Sequence, residues 1–366
     1  MRTYLDYAAT APLRPQARAR VIELLDIFGN PSSIHAEGQA ARLELDEARR
    51  TTASLLGLRA ERLAFTSGGT EANNLALRGV MARAPGKRLL VSSIEHDCIR
   101  NTGFALNATE IPVDSHGLLN MEVLTTELKR GDVALVSVMH ANNENGVLQP
   151  VSEIATLAHA HGALFHTDAI QTVGHLPVQP DDIGADLLSF AGHKFGGPKG
   201  VGALVLKPEI TMDALITGGS QERNRRAGTE NLPAIGGMAT ALQVALENLE
   251  TESTTARHFR TQLEAAALQL GLTVVGLGSP TAPHVIQLLT HGQRGEDVVI
   301  AFDLKGIAIS QGSACGSGKV KESHVLKAMG YTAQQAGQGL RLSWGHATTQ
   351  ADIDHGIAAL GSLLKT

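Results

Sequence analysis

Residues 187–206 read LLSFAGHKFGGPKGVGALVL, in which two apolar runs flank a polar, glycine-containing segment. The runs 187–190 and 202–206 predict buried strands. Lys194 follows the first strand, where a charge is costly unless it has a role in chemistry or contacts a phosphate. The glycine spacing is similar to that of a P-loop. However, Pro198 stands where the P-loop has its lysine, and no Ser or Thr follows Lys199, which argues against an ATP site.

Short apolar runs alternate with helical patterns before residue ~232. The strand-like runs are 63–66, 88–92, 133–138, 163–166, 187–190 and 202–206, and helical patterns include 71–80 and 151–161. Apolar strands separated by helices predict an α/β fold with a mostly parallel central sheet covered by helices. The later pattern consists of a long helical stretch at 234–270, strands at 285–289, 307–310 and 339–343, and helices at 296–304 and 351–364. It predicts a smaller α+β domain.

The composition is that of an ordinary globular protein. With 366 residues, 43% of them hydrophobic and 18% charged, two domains are expected. A net charge of −5 provides no basic face for nucleic acid. No apolar run approaches the ~20 residues of a membrane span, and the first residues lack the apolar core of a signal peptide. We therefore expect a cytoplasmic protein without nucleic-acid or membrane partners, and nothing in the sequence points to a metal site.

Polar residues follow four of the predicted strands. In an open α/β sheet, ligands bind beyond the carboxyl ends of the strands, so these residues are predicted to share one crevice. They are His96, the segment 142–144, the pair Asp168 and Gln171, and the pair His193 and Lys194.

Three features of the sequence match the parts of a pyridoxal phosphate site. TSGGTEANN, residues 66–74, ends a strand and starts a helix near Thr70, where backbone N–H groups favour a phosphate; a capping turn with Thr70 as N-cap is the alternative. Asp168 suits the N–H of a pyridine ring, although an aspartate at a strand end is commonly a helix cap. A lysine desolvated beside a cation or a phosphate becomes a nucleophile toward aldehydes, which suits Lys194.

The chain has two cysteines, too few for a disulfide framework. Cys98 ends an apolar run and is predicted to be a small buried hydrophobic residue. Cys315 lies in SQGSACGSGK, whose glycines and serines predict an accessible loop in which a thiolate can react. A separate basic cluster (Arg223, Arg225 and Arg226) is flanked by glycines and is either a solvated loop or an anion site.

A series of long motifs, in order, resembles the cysteine desulfurases of the NifS/IscS type, which belong to the fold-type I pyridoxal phosphate enzymes. The similarity extends from Leu5 to about Trp344. The motifs are LDYAATAPLRP, FGNPSSIH, TSGGTEANN, SSIEHD, SVMHANNENGV, HTDAIQTVG, SFAGHKFGGPKGVGAL, RRAGTEN, SQGSAC and LRLSWG. The resemblance implies a large cofactor-binding domain over 13–250. It also implies a smaller α+β domain, made of 1–12 and 251–366, that carries the reactive cysteine.

The resemblance also implies a role for each matching residue. Lys194 would bind the aldehyde of the cofactor and act as base at the substrate Cα, and Cys315 would accept the sulfur of L-cysteine as a persulfide. The cofactor would be bound by His96, which stacks on the ring and moves protons, and by Gly69, Thr70, Asn143, Asp168, Gln171, His193 and Thr229. Thr229 would reach the phosphate from the second subunit of a homodimer. Arg341, with Asn143, would bind the substrate carboxylate.

One position departs from the family pattern. The family commonly has a phosphate-binding serine two residues before the histidine that precedes the lysine, and this chain has Ala191 there. Ser189 is expected to point to the other face of its strand. The function implied is the conversion of L-cysteine to L-alanine, with sulfur delivered to an acceptor such as an iron–sulfur scaffold or a thiolation carrier. The alternatives are a selenocysteine lyase, an aminotransferase, and an inactive homologue that acts as an assembly scaffold.

Overall fold

The computed structural model describes residues 2–312 and 322–364. Its strands are β1 Thr3–Tyr4, β2 Leu63–Thr66, β3 Arg88–Ser92, β4 Thr109–Ile111, β5 Val133–Ser137, β6 Leu164–Asp168, β7 Leu187–Ala191, β8 Gly202–Leu206, β9 Thr273–Val274, β10 Val285–Leu289, β11 Ile307–Ala308 and β12 Gly339–Ser343. Its helices are α1 Pro15–Leu25, α2 Ala36–Leu55, α3 Gly69–Ala82, α4 Asp97–Ala105, α5 Met121–Leu128, α6 Val151–Ala160, α7 Pro180–Ile183, α8 Gln221–Asn224, α9 Leu232–Glu247, α10 Leu249–Gln269, α11 Gly295–Leu304, α12 His324–Ala328, α13 Ala333–Ala336 and α14 Gln350–Leu363.

The central sheet has seven strands in the order β2-β8-β7-β6-β5-β3-β4. The pairs from β7 to β4 are parallel, whereas β8 runs antiparallel to both of its neighbours. The central strands β5 and β7 are buried along their whole length, as expected for strands covered on both faces. This confirms the predicted mostly parallel α/β sheet. It also brings the carboxyl ends of β3, β5, β6 and β7 to one edge.

A second apolar cluster is built around a small antiparallel sheet. That sheet has the order β12-β10-β9, and β1 pairs in parallel with β11 beside it. The cluster combines Leu5 with buried residues between 256 and 364, among them Trp344. The first residues of the chain therefore pack with the last hundred. The domain limits themselves stay a prediction.

Two segments differ from the predicted elements. The long helical stretch is interrupted at Asn248 (φ −103°, ψ 7°), which separates α9 from α10. The side chain of Asn248 donates to the carbonyl of Val244, which also accepts the backbone N–H of Asn248, so the two donors share one acceptor at the break. The short element α8 contains left-handed residues at Glu222 and Arg223, and is a left-handed turn held by the bidentate ion pair of Glu222 with Arg49. Across residues 2–312 and 322–364, no helix combines the length and apolarity that crossing a membrane requires.

Candidate active site

A cavity of about 270 Å³ lies at the carboxyl ends of the parallel strands. It brings together most of the residues predicted from the strand ends. Those lining it are Gly69, Thr70, His96, Asn143, Asp168, Gln171, His193, Lys194 and Arg341, with Ala8, Ala9, Cys98, Met139, Ile170 and Ala191. The predicted crevice is therefore present. The described residues contain no group of three or more metal-ligating side chains.

Lys194 is held at the cavity by the turn that follows β7. Residues 192–194 form a 3₁₀ turn directly after the strand. Gly196 then adopts a φ of +89°, where a Cβ would lie 2.6 Å from the Arg14 side chain. The Lys194 Nζ donates to the carbonyl oxygens of Ala8 at 2.6 Å and Ala9 at 3.0 Å. The amine thus lies inside the cavity, beside the N-terminal segment.

Asp168 ends β6 and is almost completely buried. Its Oδ1 accepts the backbone N–H of Ile170 at 2.9 Å, and its Oδ2 accepts the amide of Asn73 at 2.7 Å. Burial raises the pKa of Asp168 above its ordinary value. The hydrogen bonds from Ile170 and Asn73 and the charge of Lys194 act in the opposite direction. A cationic partner would therefore stabilise the ionised form of this buried carboxylate.

His96 caps the N-terminus of α4 with its own side chain. Its Nδ1 accepts the backbone N–H of Cys98 at 3.2 Å and lies 3.1 Å from the Cys98 Sγ. Burial lowers the pKa of His96, and the Lys194 charge adds to this, while Asp168 opposes it. The ring is therefore neutral at physiological pH, and its Nε2 is the nitrogen left for the cavity.

Arg341 on β12 is buried next to the cavity. Its Nη2 donates to Asp6 Oδ1 at 2.8 Å, and its Nη1 donates to the carbonyl of Asn143 at 3.0 Å. The Nε is buried without a partner among the described residues. The guanidinium is thus fixed at two points and retains a donor for a ligand.

The glycine turn of residues 66–70 borders a second, adjoining cavity of about 390 Å³. Helix α3 begins at Gly69 with Gly68 as its cap, so Thr70 lies in the first turn and the alternative of Thr70 as N-cap is wrong. A Cβ at Gly69 would lie 2.1 Å from Ile170 Cδ1, so any larger residue here would force the Ile170 side chain to move. His193 borders both cavities; burial and the charges of Lys194 and Lys199 lower its pKa to about 4.

Several predicted residues lie elsewhere. Thr229 is exposed and borders a separate cavity of this chain, with Ser67 and Glu222. Cys315 lies outside the described residues. In the basic cluster, Arg226 forms an ion pair with Glu71 at 2.9 Å, and Arg225 donates to the carbonyl of Glu61. Two of the three arginines of the cluster therefore have partners within the chain.

Sequence reasoning missed three contributors to the cavity. Asp6 orients Arg341 across 335 positions of sequence, and no local pattern signals such a pair. Asn73 lies within the quoted glycine motif, but only the fold brings its amide to Asp168. Cys98 was predicted to be a buried packing residue; it is half-buried and lines the cavity beside His96.

Comparisons with known proteins identify the family of this chain. The model of the family "Aminotransferase class-V" matches residues 3–355. A protein of Dictyoglomus turgidum called cysteine desulfurase IscS is 38% identical over 375 residues, which is 99% of this chain and 94% of that protein. The X-ray structure of a NifS-like protein from Rickettsia africae has a TM-score of 0.92 at 30% identity, covering 99% of each chain. A structure described as SspA in complex with cysteine has a TM-score of 0.83 at 31% identity, covering 95% of this chain and 100% of that one.

Proposed function

Since the chain belongs to the class-V aminotransferase family, we propose that it is a pyridoxal phosphate-dependent cysteine desulfurase, which converts L-cysteine to L-alanine. The observation that carries the proposal is the placement of an amine, a buried carboxylate and a buried guanidinium around one cavity. These are Lys194, Asp168 and Arg341. The amine suits the aldehyde of the cofactor, the carboxylate suits its ring nitrogen, and the guanidinium suits the carboxylate of an amino-acid substrate.

The cavity fits the cofactor on its own geometry. Gly69 begins the 14-residue helix α3 at the edge of both cavities, and the N-terminus of a helix suits a phosphate. Gly69, Thr70 and His193 would hold that phosphate, Asp168 the ring nitrogen and Gln171 the phenolic oxygen. When bound, pyridoxal phosphate supplies an aldehyde and an electron-accepting pyridine ring.

Each side chain of the cavity then has a separate role in the reaction. Arg341 and Asn143 bind the carboxylate of L-cysteine, and the ion pair with Asp6 keeps the guanidinium in place. Lys194 takes the proton from the substrate Cα. Asp168 keeps a proton on the ring nitrogen because a carboxylate stabilises the cationic form. His96, with a proton on Nε2, exchanges protons at the ring.

Sulfur transfer is proposed to occur at Cys315. Its thiolate attacks the sulfur of L-cysteine, so that an S–S bond forms while the C–S bond of the substrate breaks. The carbon takes up a proton and leaves as L-alanine, and the sulfur remains as a persulfide on Cys315. A glycine- and serine-rich surrounding sequence suits a nucleophile that must meet both a substrate and an acceptor.

Incubation of the holoenzyme with L-cysteine tests this function directly. We expect L-alanine to form and the peptide containing Cys315 to gain the mass of one sulfur atom, and neither product to form with the cofactor-free protein. Alanine is measured by chromatography and the peptide by mass spectrometry under non-reducing conditions. L-Serine serves as the matched control, since it has no sulfur to transfer. Absence of both products from a cofactor-loaded protein would rule the proposal out.

The alanine at position 191 leads to a prediction on cofactor affinity. Ala191 lines the cavity, and Ser189 cannot replace the missing hydroxyl because its Oγ contacts His166 Nε2 at 3.0 Å. A hydrogen bond to a charged phosphate contributes about 1.5–3 kcal/mol. Ala191→Ser should therefore lower the dissociation constant of pyridoxal phosphate at least about tenfold, measured by equilibrium dialysis. Ala191→Cys is the control of similar size with a weak donor, and equal affinities of the two variants would contradict the prediction.

We further propose a homodimer and an iron–sulfur scaffold or thiolation carrier as the sulfur acceptor. The exposed position of Thr229 outside the cavity supports a role for this residue in a second subunit's phosphate site. Exposed apolar side chains on α1, α2 and the segment between them, Leu25, Phe28, Ile34 and Leu43, support an interaction surface. The proposed nucleophile at Cys315 must be a free thiol, and the cytosol keeps thiols reduced, which supports a cytoplasmic location.

A further inference from the structure

Asn73 on α3 is a completely buried amide that the proposed chemistry has not used. Its Nδ2 lies 2.7 Å from Asp168 Oδ2 and 3.3 Å from Cys98 Sγ. An amide nitrogen has two N–H donors, so both contacts are made at once. The amide therefore joins the end of β6 to the start of α4.

The orientation of the amide follows from its partner. An ionised carboxylate only accepts hydrogen bonds, so the nitrogen side of Asn73 must face Asp168. The opposite orientation would place two acceptors in contact. The Oδ1 of Asn73 has no partner among the described residues, which indicates that the two donor contacts determine the side chain's position.

The second donor contact leads to His96. The backbone N–H of Cys98 donates to His96 Nδ1, so in the neutral ring this nitrogen carries no proton. Burial and the charge of Asp168 raise the pKa of the Cys98 thiol to about 12, so the thiol stays protonated. With Sγ 3.1 Å from Nδ1, the S–H is a second donor to the same nitrogen. The Asn73 N–H in turn donates to the sulfur.

We propose that Asn73 is a positioning residue that couples the two groups facing the cofactor ring: one N–H keeps Asp168 ionised and oriented, and the other holds the Cys98 thiol on His96 Nδ1. The inference rests on the proposed function. It adds that a single buried amide affects both the ionisation of Asp168 and the hydrogen bonding of His96 Nδ1.

The sign of the effect follows from the charges around Asp168. Burial disfavours its ionised form, while the charge of Lys194 and the donors Ile170 N–H and Asn73 favour it. Loss of the Asn73 donors raises the pKa of Asp168 further. Protonated Asp168 no longer stabilises a proton on the ring nitrogen. As the pH falls, variants without these donors should therefore lose the interaction between Asp168 and the protonated ring nitrogen at a higher pH than the wild type.

The test uses Asn73→Leu, which is close to the size of asparagine and has no donor. In the holoenzyme, we expect the pH midpoint of the visible absorbance change of bound cofactor to rise by about one unit. The dissociation constant of pyridoxal phosphate should rise about tenfold. Asn74→Leu is the matched control on the same helix, because Asn74 contacts Thr70, Arg78 and Thr102 rather than Asp168 or Cys98. It should stay within twofold of the wild type in affinity.

The second contact is tested at Cys98. Cys98→Ala removes the donor to His96 Nδ1 and should lower kcat several-fold with unchanged KM, while Cys98→Ser keeps an O–H donor and should retain most of the activity. In an Asn73→Leu background, Cys98→Ala should cost less than it does alone, because the two side chains act as one unit.

A wild-type absorbance midpoint and dissociation constant in Asn73→Leu overturn the proposal, and so does an equal shift in Asn74→Leu. If Asn73→Leu does not fold, Asn73→Ala and Asn73→Ser are measured in the same way. The absorbance and binding measurements need no turnover. A wild-type protein that binds the cofactor but releases no alanine would therefore contradict the desulfurase function. The measurements on Asn73→Leu could still be interpreted in that case.

Discussion

Lys194→Ala is expected to lower alanine formation from L-cysteine by at least about a thousandfold, since it removes both an amine nucleophile and a proton acceptor. Lys194 supplies the amine that lines the cavity, where its Nζ lies within 3.0 Å of the Ala8 and Ala9 carbonyl oxygens.

The same variant should also lack the visible absorbance of covalently attached cofactor, while non-covalent binding through the phosphate persists at reduced affinity. Absorbance spectra and chromatographic alanine assays check the two effects separately. Lys87→Ala, at an exposed position remote from the cavity, is the control and should behave like the wild type. Turnover by Lys194→Ala near the wild-type rate would remove the lysine from the mechanism.

Cys315→Ala should still bind pyridoxal phosphate and show its absorbance, because the residues lining the cavity are unchanged. Alanine formation should nevertheless fall at least about a hundredfold, since no thiolate remains to accept the substrate sulfur. The alternative thiol, Cys98, cannot take over, because its pKa of about 12 keeps it protonated at neutral pH.

The measurement is a pairwise comparison of the two cysteines. Alanine and protein-bound sulfur are determined for Cys315→Ala and for Cys98→Ser. Persulfide should be absent from the first variant and present on Cys315 in the second. Full alanine production by Cys315→Ala would show that sulfur leaves without a protein nucleophile, as the lyase alternative requires. Comparing L-cysteine with L-selenocysteine as substrates then separates these two reactions.

The arrangement of strands was predictable because apolar runs and the polar residues that follow them are local features of the sequence. Asp168 ends a buried strand and Lys194 lies in the turn directly after another, and parallel strands bring such residues to the same edge. The break at Asn248 was not predictable in the same way, since neither Gly nor Pro marks it. There a side chain competes with the helix for one backbone carbonyl.

The missed residues share a different cause. Asn73 and Cys98 meet across two helices, and Asp6 meets Arg341 across nearly the whole chain. Their side chains have common structural uses, in helix packing and capping, so residue type alone does not identify them. Only distances between elements reveal that an ordinary-looking amide contacts the carboxylate at the centre of the site.

The pairing of β1 with β11 has a consequence for synthesis on the ribosome. Thr3 pairs with Ile307 across the two strands. Asp6 forms its ion pair with Arg341, which is translated later still. At roughly 5–20 residues per second, the first strand spends about 15 to 60 seconds without its partner while the central sheet is being made. Strand β1 is thus translated long before β11, the strand with which it pairs. A nascent chain stalled before position 307 would hold a finished sheet but an incomplete catalytic pocket.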